Sequence, residues 1–373
     1  MEPCKFVAEN FCDDVGPAKV VHIYEPKTGL RAIVCIDNIA RGPAIGGVRM
    51  APDVSTTEVF RLARGMTFKN AAAGLRHGGG KSGIIADPKQ PEERREELIR
   101  AFARAMKDLT EYIPGPDMGT DESSMGYVYD EIGRCVGLPR SMGGIPLDEI
   151  GATGYGCKVA TEVAIEYVNL DLKKTSFAIE GYGNVGRPAA RFLCEKGATL
   201  VAASDTSGTI YNPDGIDCAE LERVKGQTGS VLKYKKGEKL PVAACLEVKC
   251  DILLPCARPD SINMKNVGRV KCKLIVSGAN IPISAEAEKV LHDREILQVP
   301  DFIANAGGVI CGAVEFHGGT ENHVFPTIEN AIKTNSREVL DRVFKKKMSP
   351  REAANQLARE RVLEAMKYRR IHI

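Results

Sequence analysis

The chain has 373 residues, 43% of them hydrophobic, enough for two domains of roughly 150 residues with a core each. Its 51 Lys and Arg against 49 Asp and Glu leave a net charge of +2, so the charge balance singles out neither nucleic acid nor an anionic membrane as a partner. Apolar runs fall short of the roughly 18 residues of a membrane span, and the start Met1-Glu2-Pro3-Cys4-Lys5 is too polar for a secretory leader; a cytoplasmic protein is expected. The 12 cysteines show neither a CxxC pair nor metal-site spacing, and are expected to be reduced, packed thiols with no bound metal.

In chain order, β-branched and apolar residues between Gly and Pro breakers predict strands over Lys19 to Tyr24, Arg31 to Asp37 and Ser82 to Ala86. Between the last two, Leu62, Met66, Lys69 and Ala73 fall at i, i+4, i+7 and i+11, which predicts a helix over Thr56 to Ala73 with a lysine in its apolar stripe. Breakers cluster at Gly137-Leu138-Pro139 and Gly143-Gly144-Ile145-Pro146, marking a boundary after an N-terminal domain of 1–145. From Lys173 the pattern alternates: strand Ser176 to Glu180, helix Val185 to Lys196, then strands Thr199 to Ser204, Asp251 to Leu254 and Lys273 to Ser277. Such alternation predicts a parallel, doubly wound sheet within a second domain of 146–334. Ser349-Pro350-Arg351-Glu352 offers an N-cap, Pro at the first helical position and Glu at N3 for a last helix to about Lys367.

Strand Ser176 to Glu180 runs into Gly181-Tyr182-Gly183-Asn184-Val185-Gly186, a GxGxxG that opens a helix, and Asp205 ends the next strand. The first Gly permits the tight turn, the second lets backbone N–H groups approach a pyrophosphate, and the third lets helix and strand pack closely. Asp205 is placed to accept from the adenosine ribose hydroxyls. The reading is a site for NAD or NADP: an acid disfavours a 2′-phosphate and tilts the choice to NAD, while the small Thr206-Ser207-Gly208 leaves room for one.

Lys69 and Lys81 stand twelve residues apart in a block that includes Gly78-Gly79-Gly80-Lys81-Ser82. A P-loop is excluded, because Leu75 occupies a required Gly position and a strand rather than a helix follows the lysine. Burial lowers a lysine's pKa and suits it to general base chemistry, while a lysine kept charged can hold a carboxylate. Asp117, in Pro114-Gly115-Pro116-Asp117-Met118-Gly119-Thr120, adds an acid at the end of the first domain's sheet.

Together these blocks, with Gly151-Ala152-Thr153-Gly154-Tyr155-Gly156, Ser277-Gly278-Ala279-Asn280 and Pro300-Asp301-Phe302-Ile303-Ala304-Asn305-Ala306-Gly307-Gly308-Val309, resemble the glutamate/leucine/phenylalanine/valine dehydrogenase family in content and order. The resemblance implies an α/β fold of two domains: a mixed-sheet N-terminal domain for substrate and oligomerisation, joined by helices of about 335–373, and a Rossmann-like dinucleotide-binding domain. It implies a homo-oligomer that carries out NAD(P)-dependent, reversible oxidative deamination of an L-amino acid to a 2-oxo acid and ammonia, without metal. By the same carry-over, Lys69 binds the substrate carboxylate, Lys81 activates water or polarises the carbonyl, and Asp117 exchanges protons with the nitrogen. Thr153, Asn280 and Asn305 then lie near the nicotinamide and its ribose.

Glutamate enzymes of the family resemble one another in a lysine before the Gly-Gly of Gly42-Pro43-Ala44-Ile45-Gly46-Gly47-Val48-Arg49-Met50; here Ile45 stands there. They also carry a serine where this chain has Gly312. Ile45, Gly46, Val309 and Gly312 therefore imply an apolar side-chain pocket, since an unpartnered second carboxylate there costs several kcal/mol. A branched-chain or aromatic substrate is favoured. Glutamate stays open, because Ser204 to Gly215 and Ile296 to Asp301 look like archaeal-type glutamate dehydrogenases; so does a catalytically silent dinucleotide-binding regulator, against which Lys69, Lys81 and Asp117 all speak.

Overall fold

A computed structural model describes residues 11 to 369. The chain divides into two units. The first takes in the described residues up to Pro146, then Cys311–His323 and the chain from Leu357; the second takes in Leu147–Ile310 and Val324–Gln356. The tail is thus shared, whereas 335–373 as a whole was expected to join the first domain.

The first unit contains β1 (Lys19–Glu25), β2 (Leu30–Asn38), β3 (Ala44–Ala51), α1 (Thr56–Ala72), β4 (Gly78–Ile85), α2 (Glu92–Ala105), β5 (Tyr112–Pro116) and α3 (Glu122–Ile132). Its sheet has the order β1-β2-β4-β3-β5. The β1–β2 and β2–β4 pairs are antiparallel and the β3–β4 and β3–β5 pairs parallel, which makes the sheet mixed. Side chains alternate along β2: Val34 and Ile36 join Met50, Phe102 and Met125 in one core, while Ile33 and Cys35 meet Val59 and Phe60 of α1 on the other face. Burial on both faces gives β2 its unbroken apolar run.

Two sequence expectations change here. The buried face of α1 is Val59, Phe60, Ala63, Thr67, Asn70 and Ala71, and the stripe of Leu62, Met66 and Lys69 is only half-buried. Strand β4 starts at Gly78, four residues before the expected Ser82, so the glycine run is part of the strand. It lies between α1 and Tyr112: a Cβ at Gly79 would stand 2.0 Å from Thr67 N, and one at Gly80 2.9 Å from the Tyr112 ring. Close approach on both faces, rather than freedom to turn, selects glycine there.

The second unit follows with α4 (Leu147–Ile150), α5 (Ala152–Tyr167), β6 (Ser176–Glu180), α6 (Gly186–Glu195), β7 (Thr199–Asp205), β8 (Gly208–Tyr211), α7 (Cys218–Thr228), β9 (Glu238–Leu240), β10 (Ile252–Pro255), β11 (Leu274–Val276), α8 (Ala285–Asp293), β12 (Leu297–Val299) and α9 (Asp301–Ala304). The chain continues through α10 (Gly307–Phe316), α11 (Glu321–Lys346) and α12 (Pro350–Tyr368). The sheet order is β12-β11-β10-β6-β7-β8-β9. From β12 to β7 it is parallel, but β8 and β9 pair antiparallel. The all-parallel expectation therefore fails at Thr206-Ser207, which form a two-residue turn with Asp205 paired to Gly208. Because β7 and β10 flank β6 on opposite sides, the strand order reverses at β6, where a parallel sheet opens a crevice beyond its strand ends.

Two cysteines depart from the expectation of free thiols: Cys194 in α6 and Cys218 at the start of α7 form a disulfide. Among the described residues no helix is long and apolar enough to cross a membrane.

Candidate active site

In the first unit, Lys81 lies at the middle of β4 on the same face as Gly79 and Gly83, the face that α1 covers. Asp117 directly follows β5. Lys81 Nζ lies 2.7 Å from Asp117 Oδ2, with a side chain only 9% exposed. Gly47 of β3 makes this meeting possible, since a Cβ there would stand 2.7 Å from Asp117 Cβ and 3.1 Å from Lys81 Nζ. Burial pushes the Lys81 ammonium towards its neutral form, and Asp117 offsets that only in part. Burial alone would raise the Asp117 carboxyl, but Lys81 and Arg49 outweigh it and hold it below the usual carboxylate range. The partners respond unequally because Asp117 has two cations beside it and the more deeply buried Lys81 has one carboxylate.

Arg49 was not singled out in the sequence, nor was Glu58. Arg49 Nε donates to Asp117 Oδ2 at 3.2 Å and Nη1 donates to Glu58 Oε1. Lys69 sits half-buried on α1, two residues beyond Thr67, whose backbone packs on Gly79.

The proposed side-chain pocket divides. Ile45 is 5% exposed and clusters with Ile113, Val136 and Phe316; the Cβ position of Gly312 faces Val136 at 3.6 Å, so Ile45 and Gly312 border one apolar group. Gly46 has a backbone task instead, because a Cβ there would lie 1.6 Å from Gly80 O, and its carbonyl accepts from the Tyr112 hydroxyl at 2.7 Å. Val309 lies partly buried in α10, within the second unit. Sequence reading missed His77, which packs edge-on against Phe316. Burial brings its pKa down to about 4, so the imidazole beside this cluster is neutral. Glu315 spends its carboxylate on the backbone N–H groups of Gly137, Leu138 and Ile145, at 2.7, 3.1 and 2.8 Å.

In the second unit, Gly181, Gly183, Asn184 and Val185 line a cleft of about 990 Å³ with Asp205, Thr206, Lys225 and Arg258. Gly181 has φ +92 and no room for a Cβ against Ala257, and Gly186 packs on Gly181 O and Ile179. Gly183 instead faces open space, and the α6 N-terminus has no side-chain cap, leaving N–H donors for a pyrophosphate. Asn184 Nδ2 donates to Asp148 at 3.0 Å.

Asp205 reaches the cleft but has its acceptors filled. It accepts from Ser207 N and Oγ on one oxygen and from Lys225 Nζ and Val231 N, at 2.6 and 2.8 Å, on the other. These partners overcome burial and bring its pKa down to about 2. A carboxylate with about four lone-pair positions has little left for a ribose, contrary to the role expected for it. Asn305 and Asn280 do come together, with Asn305 Nδ2 donating to Asn280 Oδ1 at 2.9 Å. Asn305 Oδ1 is buried without a partner, an acceptor suited to the amide N–H of a nicotinamide. Thr153, near the start of α5, has its hydroxyl 3.1 Å from the Cβ position of Gly308.

A Rossmann-type crevice, a buried amide acceptor without a partner at Asn305 of the same unit, and a buried lysine–aspartate pair in a separate mixed-sheet unit suit a two-domain, dinucleotide-dependent oxidoreductase. The chain belongs to the glutamate/leucine/phenylalanine/valine dehydrogenase family: the model of that family matches residues 143–370 and that of its dimerisation domain residues 17–134. It is an NAD(P)-dependent amino acid dehydrogenase acting on the CH–NH2 group. It is similar to a glutamate dehydrogenase of Aeropyrum pernix, 40% identical over 89% of this chain and 85% of the relative. Among solved structures it resembles the hetero-hexameric glutamate dehydrogenase of Thermus thermophilus in its leucine-bound form, at TM-score 0.84 and 27% identity over 96% of this chain and 91% of the other. It also resembles the L-tryptophan dehydrogenase of Nostoc punctiforme, at TM-score 0.76 and 25% identity over 94% and 97%.

Proposed function

We propose that this enzyme oxidatively deaminates an L-amino acid with an apolar, branched-chain or aromatic side chain, reversibly, to the 2-oxo acid and ammonia. The observation that carries the choice is the Ile45, Ile113, Val136 and Phe316 cluster with its neutral His77. A substrate carboxylate there would meet apolar carbon and lose its hydration, at a cost of several kcal/mol. The 40% identity to a relative named glutamate dehydrogenase favours glutamate as the second reading.

A nicotinamide held by Thr153, Asn280 and Asn305 would supply the acceptor for the hydride of the substrate Cα. The chain's own residues do the rest. Lys69 binds the α-carboxylate as a charged ammonium. Lys81, its neutral form favoured by burial, takes the proton of the water that adds to Cα. Asp117, held ionised, accepts a proton from the substrate nitrogen and returns it as ammonia leaves. Thr153, Asn280 and Asn305 orient the nicotinamide end.

The adenosine end supports NADP over the NAD that the acid alone suggested. Asp205 is paired with Lys225 and Arg269 with Glu247, and Arg258 and Lys265 line the same cleft against Glu180, so the cations in excess there suit a 2′-phosphate. Assembly as a homo-oligomer through the first unit rests on the dimerisation-domain match; one monomer mass in light scattering at all concentrations would refute it. Incubation with L-leucine and NADP is expected to yield ammonia, 2-oxo acid and reduced cofactor in equal amounts, and Lys81→Ala to abolish all three. Deamination surviving in that variant would remove Lys81 from its role.

A further inference from the structure

Asp117 Oδ2 is the meeting point of two cations, Lys81 Nζ at 2.7 Å and Arg49 Nε at 3.2 Å. The reaction just proposed needs only the first. The guanidinium bridges, with Nε on Asp117 and Nη1 on Glu58 of α1, so a planar fork ties the loop after β5 to α1 across β3. A lysine at this position carries its donors on one rotatable nitrogen at the end of a flexible stem and lacks the planar fork that fixes the two carboxylates relative to each other. The Arg49 side chain is 19% exposed and that of Glu58 36%, so the bridge is shielded at the Asp117 end and open to solvent at the other.

Placing a second cation next to a catalytic lysine carries an electrostatic consequence. Two cations on one carboxylate oxygen also occur at Glu131 Oε1, which takes Arg100 and Arg104 of α2; Asp117 differs in that one of its two cations is the buried Lys81. Next to Lys81, the Arg49 charge disfavours protonation of the amine, and the Glu58 charge works the other way. Next to Asp117, the same guanidinium favours the ionised carboxylate.

We propose that Arg49, braced by Glu58, is a positioning residue that aims the Asp117 carboxylate, already in contact with Lys81, for proton exchange with the substrate nitrogen. This inference rests on the reaction assigned to Lys81 and Asp117 above. The charged and titratable groups facing Asp117 are Lys81 of β4, Arg49 of β3, Glu58 of α1 through Arg49, and Tyr112 of β5, whose phenol is pushed up by burial and stays protonated.

Removal of the two partners should act in opposite directions. Arg49→Gln deletes the cation, so Asp117 and Lys81 both titrate higher, by about one pH unit for a charge at this range and exposure. Glu58→Gln leaves Arg49 unopposed, so both titrate lower, by about half a unit. Arg49→Lys keeps the charge and loses the fork: its limbs should stay with those of the unaltered enzyme while kcat falls and KM holds.

The test pairs two readouts. One is the pH profile of kcat/KM with the substrate the enzyme accepts best. The other, independent of turnover, is the rate of Lys81 acetylation by dilute acetic anhydride against pH, read by mass spectrometry. Opposite displacements in Arg49→Gln and Glu58→Gln, in both readouts, support the proposal. Loss of activity with no displacement, or displacement in the same direction, overturns it. Glu58 is the more exposed partner, so Glu58→Gln decides the matter if Arg49→Gln does not fold. A displaced acetylation profile without turnover of any amino acid would count against the reaction assigned and leave the Arg49 inference standing.

Discussion

Replacing Ile45 by lysine probes the proposed side-chain pocket at its most informative point. Ile45 is 5% exposed and packed on Ile113, Val136 and Phe316, so the new ammonium enters a site with no carboxylate supplied by that cluster. With L-leucine bound it stays unpaired, and an uncompensated buried charge costs about 3 to 5 kcal/mol. With L-glutamate bound it meets the side-chain carboxylate, and a hydrogen bond between charged groups contributes about 1.5 to 3 kcal/mol, roughly a 10- to 150-fold gain in kcat/KM. The unpaired charge is already present in the free enzyme and lowers its melting temperature, so the glutamate-to-leucine ratio of kcat/KM should rise by the glutamate gain, about 10- to 150-fold. The assay is initial rates of cofactor reduction for both amino acids, after circular dichroism has shown the variant folded. A ratio moving by less than about threefold would mean that Ile45 does not face the substrate side chain, and the pocket argument would fail.

Gly47→Ala inserts a methyl 2.7 Å from Asp117 Cβ and 3.1 Å from Lys81 Nζ. Overpacking of this kind costs about 1 to 3 kcal/mol, and kcat is expected to drop at least tenfold while the cofactor's Kd is unchanged; full activity would show that the pair tolerates displacement. His77 titrates at about 4 in the folded chain against about 6.5 when unfolded. The depressed value means that its contribution to stability is complete above about pH 6.5 and is lost on acidification towards pH 4, about 3 kcal/mol in all. Urea midpoints measured from pH 7 to 4.5 should accordingly fall more steeply in the unaltered protein than in His77→Gln, and parallel curves would contradict the assignment. Lys225→Met removes the cation beside Asp205 and should raise the KM for NADP at least tenfold while leaving NAD nearly unaffected; equal effects on both would place the 2′-phosphate elsewhere.

Local pattern made the dinucleotide crevice legible. Strand β6, the GxGxxG and α6 lie within a residue of their expected bounds, because apolar alternation, glycine sterics and helix opening are all encoded over some twenty consecutive residues. Ser349 and Pro350 likewise opened α12 as the capping pattern required. What escaped was set by partners distant in sequence. Asp205 marked the end of β7, yet its acceptors are filled by Lys225 and Val231, 20 and 26 residues on. His77 becomes notable only through Phe316 and His317, the latter 240 residues away. The glycine run 78–80 lay outside the strand expected from Ser82, and belongs to it because α1 and Tyr112 leave no space for side chains. Lys81 and Asp117 were singled out from their local blocks and took their expected roles from the family resemblance, while Arg49 and Glu58, which complete their network, lie in elements that sequence reading assigned to other tasks.

The most direct measurement is a set of initial rates for L-glutamate, L-leucine, L-valine, L-phenylalanine and L-tryptophan, each with NAD and with NADP, at alkaline pH. The account predicts kcat/KM at least tenfold higher for one of the apolar amino acids than for glutamate, with NADP the better cofactor. A clear preference for glutamate would contradict it, and would mean that a cation elsewhere in the chain reaches the side-chain carboxylate.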